Sequence, residues 1–283
     1  MKAIAIVPGT MTLHLVDRAA PSIASADEVM MRVLSVGICG TDREEADGGR
    51  ARAPDGQPDL VIGHEMFGRV TEVGRSVTRV APGGRVVGVD ASGSQVEHAR
   101  EHHPGAEFLL GRAQDVGTLA PPGSFDVVVS VATLHWVPAE DQTAVLDGVR
   151  TVLRDGGVLR IDMGGAGQIA RTRALLDEVS ARFGGPASPW YFPGLDAYRR
   201  LLAAAGFTVH RARLVRQRRP FADVGAFEGW LRSQVLPAYF PGVDPDARTS
   251  FAAACVSEGA ARLRRGNGSY DQDYVRLDVL ATR

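Results

Sequence analysis

Three side chains near the N-terminus carry metal-binding chemistry. Cys39, His64 and Glu65 offer a thiolate, an imidazole and a carboxylate on two stretches about 25 residues apart. A catalytic zinc needs three such ligands and one open position; the same residues can also pack or meet solvent without a metal. Further on, Asp90 closes the apolar run Arg85–Val89, and an acid at the carboxyl end of a strand can accept hydrogen bonds from both hydroxyls of a ribose. His135 and Trp136 follow a second apolar run, Phe125–Val131, and Tyr191 stands in a Pro-rich stretch where its hydroxyl can donate to a carboxylate. By type alone, a His-Trp pair serves a core as readily as a pocket.

Two different rhythms must position these residues. Up to about Val80 the apolar runs are short and β-branched: Ala3–Val7, Leu13–Val16, Val29–Val36, Leu60–Ile62 and Val70–Val73, separated by Pro, Gly and Asp clusters. Strands and loops with little helix are expected there. From Gly84 strand-like runs alternate with helical stretches, the pattern of βαβ units and a parallel sheet. The predicted strands are Arg85–Val89, Glu107–Leu110, Phe125–Val131, Gly157–Met163, Phe207–Leu214 and Tyr274–Ala281. The middle ones are apolar on both faces, as a sheet covered by helices requires. The predicted helices are Ser92–His102, Ala139–Leu153, Gln168–Phe183 and Leu195–Ala205, with Leu175, Leu176, Val179 and Phe183 as one apolar stripe. Gly184–Pro193 and Trp230–Asp246 read as lid or loop material, because their aromatics follow no period.

Composition excludes several classes. The 283 residues hold 32 Lys plus Arg against 33 Asp plus Glu, a net charge of -1, so neither a nucleic-acid binder nor an acidic tail is expected. Lys2 is the single lysine and arginine supplies the other basic residues; this imbalance is a coding bias of GC-rich genes, so the arginines of Arg211–Arg219 are expected on a solvated strand edge. The two cysteines, Cys39 and Cys255, are too few for a disulfide framework. No signal-peptide pattern and no apolar run of about 20 residues occurs, so the expectation is a soluble cytoplasmic protein without membrane partners.

Two resemblances follow from these motifs. Val36-Gly-Ile-Cys-Gly-Thr-Asp42, Gly63-His-Glu-Met-Phe-Gly-Arg-Val70 and Pro82-Gly83 resemble the GroES-like N-terminal domain of medium-chain zinc alcohol and glucose dehydrogenases, over about residues 1–86. The resemblance implies that Cys39, His64 and Glu65 surround a zinc and that Thr41 relays a proton. From Gly83 onward the chain resembles class I S-adenosylmethionine-dependent methyltransferases of the trans-aconitate methyltransferase type. Arg85-Val-Val-Gly-Val-Asp90-Ala-Ser92, Phe108-Leu-Leu-Gly-Arg-Ala-Gln-Asp115, Ser124-Phe-Asp-Val-Val-Val-Ser130 and Val131-Ala-Thr-Leu-His-Trp136 carry it, with Trp190–Phe207 as the acceptor-side segment. It implies S-adenosylmethionine as cofactor, with Asp90, Ala91, Ala113, Gln114 and Ser130 around it. It places His135, Trp136 and Tyr191 as the catalytic, acceptor-side residues for a small molecule, carboxylate-bearing ones among the candidates. At the position that commonly holds an Asp for the adenine amino group stands Arg112, which cannot accept a hydrogen bond.

The fold expected is therefore α/β: a Rossmann-like class I methyltransferase sheet at 83–283 without its own first strand and Gly-rich turn, preceded by a β-rich, partial GroES-like segment at 1–82. Where the glycine turn should stand, the chain reads Val61-Ile-Gly-His-Glu-Met-Phe-Gly68. Deleting a central strand leaves buried backbone groups unpaired, so either Lys2–Val7 or Phe67–Val73 is expected to pair beside Arg85–Val89. Two other readings stand beside the methyltransferase: a zinc-binding, dehydrogenase-derived protein, and a non-catalytic fusion product.

Overall fold

The computed structural model describes the backbone of residues 1–8, 10, 12–37, 53–54, 56–62, 65–77, 84–103, 106–221 and 223–283, with all of their side chains except those of 34–37 and 65–69. Cys39 and His64 lie outside the described residues, and Glu65 enters through its backbone alone. The chain folds as two compact units, Met1–Leu110 and Gly111–Arg283. The join expected between residues 82 and 83 falls inside the first.

That unit opens with five strands: β1 (Lys2–Val7), β2 (Thr12–Asp17), β3 (Val29–Gly37), β4 (Leu60–Val61) and β5 (Glu65–Val73). Strand β1 pairs antiparallel with β2, from Lys2 opposite Asp17 to Val7 opposite Thr12, and takes β4 on its other edge. Buried Asp59, just before β4, accepts hydrogen bonds from Arg18 and from His14 Nε2, tying the end of β2 to that edge. Strands β3 and β5 form an antiparallel pair with two register shifts. Next come β6 (Val87–Asp90), α1 (Gly93–His102) and β7 (Glu107–Leu110), a βαβ unit whose strands run parallel from Val87 opposite Glu107 to Asp90 opposite Leu110.

Neither N-terminal run pairs beside β6. Strand β1 gives its edges to β2 and β4, the 67–73 run belongs to β5 on β3, and β6 bonds β7 alone among the described residues. Loop closure explains the choice for β1: a turn of a few residues brings it onto β2, whereas pairing with β6 closes a loop of some eighty residues and costs more entropy.

In the second unit, α2 (Val116–Leu119), β8 (Phe125–Val131), α3 (Gln142–Val152), β9 (Leu153–Gly164), α4 (Ala170–Arg182), α5 (Leu195–Ala204), β10 (Thr208–Arg219), α6 (Val224–Trp230), α7 (Arg248–Arg262) and β11 (Gln272–Thr282) build a sheet of order β10-β11-β9-β8 with helices. The parallel sheet read from the sequence is mixed: β8 and β9 are parallel, and β11 is antiparallel to both β9 and β10. The helical excursion through α6 and α7 returns the chain to the end where β10 stopped, Gln272 opposite Arg219, so β11 must run back between its neighbours. Gly206, at φ 80° just after α5, is the left-handed stop that lets the chain turn into β10.

One face of this sheet is apolar. Leu159, Ile161 and Met163 of β9 and Leu277, Val279 and Ala281 of β11 pack under Val145, Leu146 and Val149 of α3 and Tyr198 and Leu202 of α5. A second cluster joins Leu175, Leu176 and Val179 of α4 to Phe227, Trp230, Tyr239 and Phe251. Trp230 and Tyr239 are therefore core residues, and the Trp230–Asp246 stretch is a chain of short helical turns rather than a lid. Its aromatics look aperiodic because the helix type changes every few residues. Cys255 lies in the same cluster, its thiol pushed up to about 12 by burial, an unreactive packing group.

The opposite face is not apolar. Register puts Val129 beside Arg160 and Val131 beside Asp162, and Asp162 beside Asp278, which faces Arg213. Both valines are about 60% exposed, so the expectation of apolar residues covered on both sides fails at β8. Arg160, Arg211 (3.2 Å) and Arg213 (2.9 Å) converge on the buried Asp278 carboxylate, and Arg276 pairs with Asp162 at 2.6 Å. Strand β10 is the predicted edge, but its arginines are not uniformly solvated. Arg219 is buried against Phe221, Trp230 and Tyr274, its guanidinium carbon 5.4–5.6 Å from their ring centres, and it donates to Tyr274 Oη at 2.8 Å.

Burial by itself would raise the Asp278 carboxyl, but the Arg213 hydrogen bond and the charges of Arg160 and Arg211 outweigh it and hold it below the usual range. The three guanidiniums keep partial access to water, so removing the carboxylate charge costs at the lower end for such networks. Asp278→Asn is expected to destabilise the protein by roughly 1–3 kcal/mol at neutral pH. Because the folded value is depressed, this contribution is present above about pH 4 and is lost as pH falls. Urea denaturation of both proteins at pH 7 and pH 3 checks this: the gap between them should close at the lower pH.

Candidate functional site

Strand β8 ends in a strained turn. Ala132 takes φ 53°, a conformation that side-chain-bearing residues seldom adopt, and its N–H donates to the Asp162 carbonyl at 2.8 Å. The following turn, Leu134–Trp136, is held from beneath by fully buried Gln142, whose amide donates to the carbonyls of Leu134 (2.8 Å) and Val137 (3.0 Å). Tyr198 Oη donates to the other end of that amide at 3.4 Å. This scaffold aims His135 across the end of β9.

His135 is buried, and its Nδ1 accepts from the Gly164 N–H at 3.4 Å. Its remaining proton therefore sits on Nε2. Burial, and then the charge of Arg276, lower its pKa to about 4, so the ring is neutral at physiological pH and presents a donor, not a base. The segment 190–193 closes over it. Tyr191 N–H donates to the His135 carbonyl at 2.9 Å, and Ala166 N–H to the Pro193 carbonyl at 2.8 Å. Phe192 lies 5.6 Å from the His135 ring, Trp136 5.6 Å from Trp190, and Trp190 stacks at 5.9 Å on Phe192. Trp136 is half exposed at 49%, so it is the rim of this cluster. Burial raises the Tyr191 hydroxyl, which stays a neutral donor. The loop is anchored by Asp177 of α4, which accepts from Ser188 N–H at 2.8 Å and Tyr239 Oη at 2.7 Å.

The structure thus brings His135, Trp136 and Tyr191 together. Ser130 lies in β8 five residues before His135, on the strand that leads into the turn. Ala113 and Gln114 begin a short 3-10 turn before α2, where the Gln114 amide donates to Asp141 at 2.7 Å and Arg112 faces the same carboxylate at 3.4 Å. Asp90 and Ala91 belong to the first unit. There Ser92 N–H donates to Asp90 Oδ1 at 2.8 Å while the Ser92 hydroxyl accepts from Gln95 N–H at 3.4 Å, so the cap that starts α1 also orients the acid.

In the sequence Gly164 carries no mark of a site residue, and Phe192 stands only as part of the acceptor-side segment Trp190–Phe207. A Cβ on Gly164 would sit 2.4 Å from Phe192, so the missing side chain is what lets the ring and the His135 hydrogen bond share one place. Gly164 carried no signal of its own, because a glycine that ends a strand usually marks only a turn.

Comparison with known proteins divides along the same chain. A family model described as the alcohol dehydrogenase GroES-like domain matches residues 25–141. An uncharacterized methyltransferase of Schizosaccharomyces pombe is 34% identical over 133 residues, 44% of this chain and 51% of that protein. A trans-aconitate 2-methyltransferase of Azoarcus sp. is 28% identical over 213 residues, 71% of this chain and 79% of that protein. Glucose 1-dehydrogenase 2 of Vulcanisaeta moutnovskia is 36% identical over 88 residues, 31% of this chain and 25% of that protein. The chain thus spans about half of the first relative and a quarter of the dehydrogenase. Among solved structures, a loganic acid methyltransferase with SAH superposes with a TM-score of 0.55 at 14% identity, over 71% of this chain and 74% of that one. The protein is methyltransferase-like with a GroES-like N-terminal part, and its fold is α/β of the class I methyltransferase kind. Among the described residues no helix is long and apolar enough to cross a membrane.

Two outcomes follow from this geometry. His135 should stay neutral, with its proton on Nε2, from pH 8 to about pH 5 in nitrogen-15 NMR spectra. The unfolded chain takes up that proton near pH 6.5 and the folded one only near 4. Stability from the neutral ring is therefore complete above that upper value and lost on acidification, by up to roughly 3 kcal/mol; His135→Gln should flatten this part of the pH profile. Gly164→Ala should displace Phe192, shift the His135 resonances and cost about 1–3 kcal/mol in denaturant unfolding.

Proposed function

We propose that the protein is an S-adenosylmethionine-dependent methyltransferase for a small acceptor that bears a carboxylate, with the functional division at the sequence boundary between 1–82 and 83–283. The observation that carries the reading is the buried, neutral His135 at the end of β8, closed in by Trp136, Tyr191 and Phe192. A carboxylate nucleophile arrives already ionised, so the protein needs to orient it and exclude water rather than to deprotonate it. His135 Nε2–H and Tyr191 Oη–H are both donors suited to an anionic oxygen, and the aromatic rings supply the dry wall.

The residues fit the cofactor in part. Asp90, with Oδ1 already accepting from Ser92, keeps Oδ2 as an acceptor for ribose hydroxyls. Gln114 directs its amide nitrogen to Asp141, which leaves its oxygen as the acceptor end for an adenine amino group in place of an aspartate. Arg112 cannot serve there. The same reading assigns Ala91 of the first unit, and Ala113 and Ser130 of the second, to the cofactor. When bound, the cofactor supplies an electrophilic methyl group on a sulfonium. The dehydrogenase-derived alternative rests on the 25–141 match and on Cys39, His64 and Glu65 as zinc ligands.

Isothermal titration of the full chain with S-adenosylhomocysteine tests the proposal. Binding is expected, with a loss of at least tenfold in Asp90→Ala and little change in His135→Gln, which acts on the acceptor side. No binding by a cooperatively unfolding chain would overturn it.

A further inference from the structure

We infer that His98, Glu101 and His102 on α1 form a binding site for a borderline divalent transition-metal ion such as Ni²⁺, Cu²⁺ or Zn²⁺. Residues three and four apart share one face of a helix, and the ligand atoms of these three all lie within 4.8 Å of one another, the only such group among the described residues. Both imidazoles bound to one ion would stand at most about 4.2 Å apart, each about 2.1 Å from the metal. All three side chains are exposed, so a small rotation closes the remaining gap without disturbing a core.

Other features favour a cation here. The His98 and His102 ring centres are 4.0 Å apart, and His102 Nδ1 lies 2.8 Å from the His98 carbonyl. A carbonyl only accepts, so Nδ1 carries the proton and the Nε2 lone pair is left for a metal, the arrangement that ligating histidines commonly show. Glu101 and His102 sit in the last turn of α1, where the helix dipole favours positive charge, with His98 one turn before. Arg100, the nearest guanidinium in sequence, is committed to the Phe108 carbonyl through Nε (3.0 Å) and a terminal nitrogen (2.7 Å). Imidazole with one carboxylate selects these ions over Mg²⁺ or Ca²⁺, which prefer oxygen ligands.

The spacing is His-x-x-Glu-His, which in one class of zinc peptidases provides two ligands and a catalytic carboxylate. Here Glu101 is within reach of both histidines and is a ligand, not a base. The site is separate from Cys39, His64 and Glu65 in sequence, and its test must be too.

The tag-free full chain, stripped with chelator, is titrated with NiCl₂ calorimetrically, both as wild type and in a Cys39→Ser/His64→Ala background. One ion per chain is expected at the α1 site in each, with affinity lowered at least tenfold by His98→Ala or His102→Ala and less by Glu101→Gln. Alanine is the best helix former, so these variants keep α1, which circular dichroism checks. With Cu²⁺, electron paramagnetic resonance should show splitting from two nitrogens, reduced to one in each single variant. Unchanged binding in the His98→Ala/His102→Ala double variant, or no binding by the folded wild type, would overturn the assignment.

Discussion

Strand β9 can occupy only one register. Shifted by one residue, it would carry Arg160 and Asp162 into the layer beneath α3 and α5 and turn Ile161 toward the open face. Its parallel bond to β8 and antiparallel bond to β11 therefore settle together, and with them the placement of Gly164 under His135. The same register puts the β9 terminus, Gly164, against His135 and lines Asp162 up with Asp278. Core packing, the charged ladder and the orientation of the imidazole are three consequences of one alignment.

The charged ladder shows how the sheet meets water on the face without α3 and α5. In a sheet covered on both sides, residues such as Arg160 and Asp278 would be costly to bury; here they pair across strands and shield one another, with Asp278 receiving three guanidiniums. Toward β8 the ladder gives way to Val129 and Val131, exposed on a strand that is the sheet's edge among the described residues. In the first unit β6 is likewise paired on one side among the described residues. An edge strand with exposed valines is a template for further pairing.

At the site, electrostatics and packing act on the same residue. Burial and Arg276 keep His135 uncharged, while Gly164 fixes which nitrogen bears the proton. A donor held this way suits an acceptor that brings its own negative charge. The α1 cluster is the opposite case: its histidines are exposed, no core orients them, and their use depends only on helical spacing.

Local signals determined much of this. Glu107–Leu110 and Phe125–Val131 appear with the boundaries read from their apolar runs, and the Leu175, Leu176 and Val179 stripe is buried as its spacing demands. Asp90 at the end of β6 was legible because an acid that closes an apolar run is a local feature. The two-part origin was legible too, since its motifs are contiguous. Tertiary structure alone decided that β11 runs antiparallel between β9 and β10, that Trp230 and Tyr239 are core, that Arg219 is buried under aromatic rings, and that α7 packs Phe251 and Cys255 inward. It also decided that Gly164 and Phe192 meet His135. Each of these depends on which distant segments touch, and periodicity records only which side of its own element a residue lies on, not what arrives there.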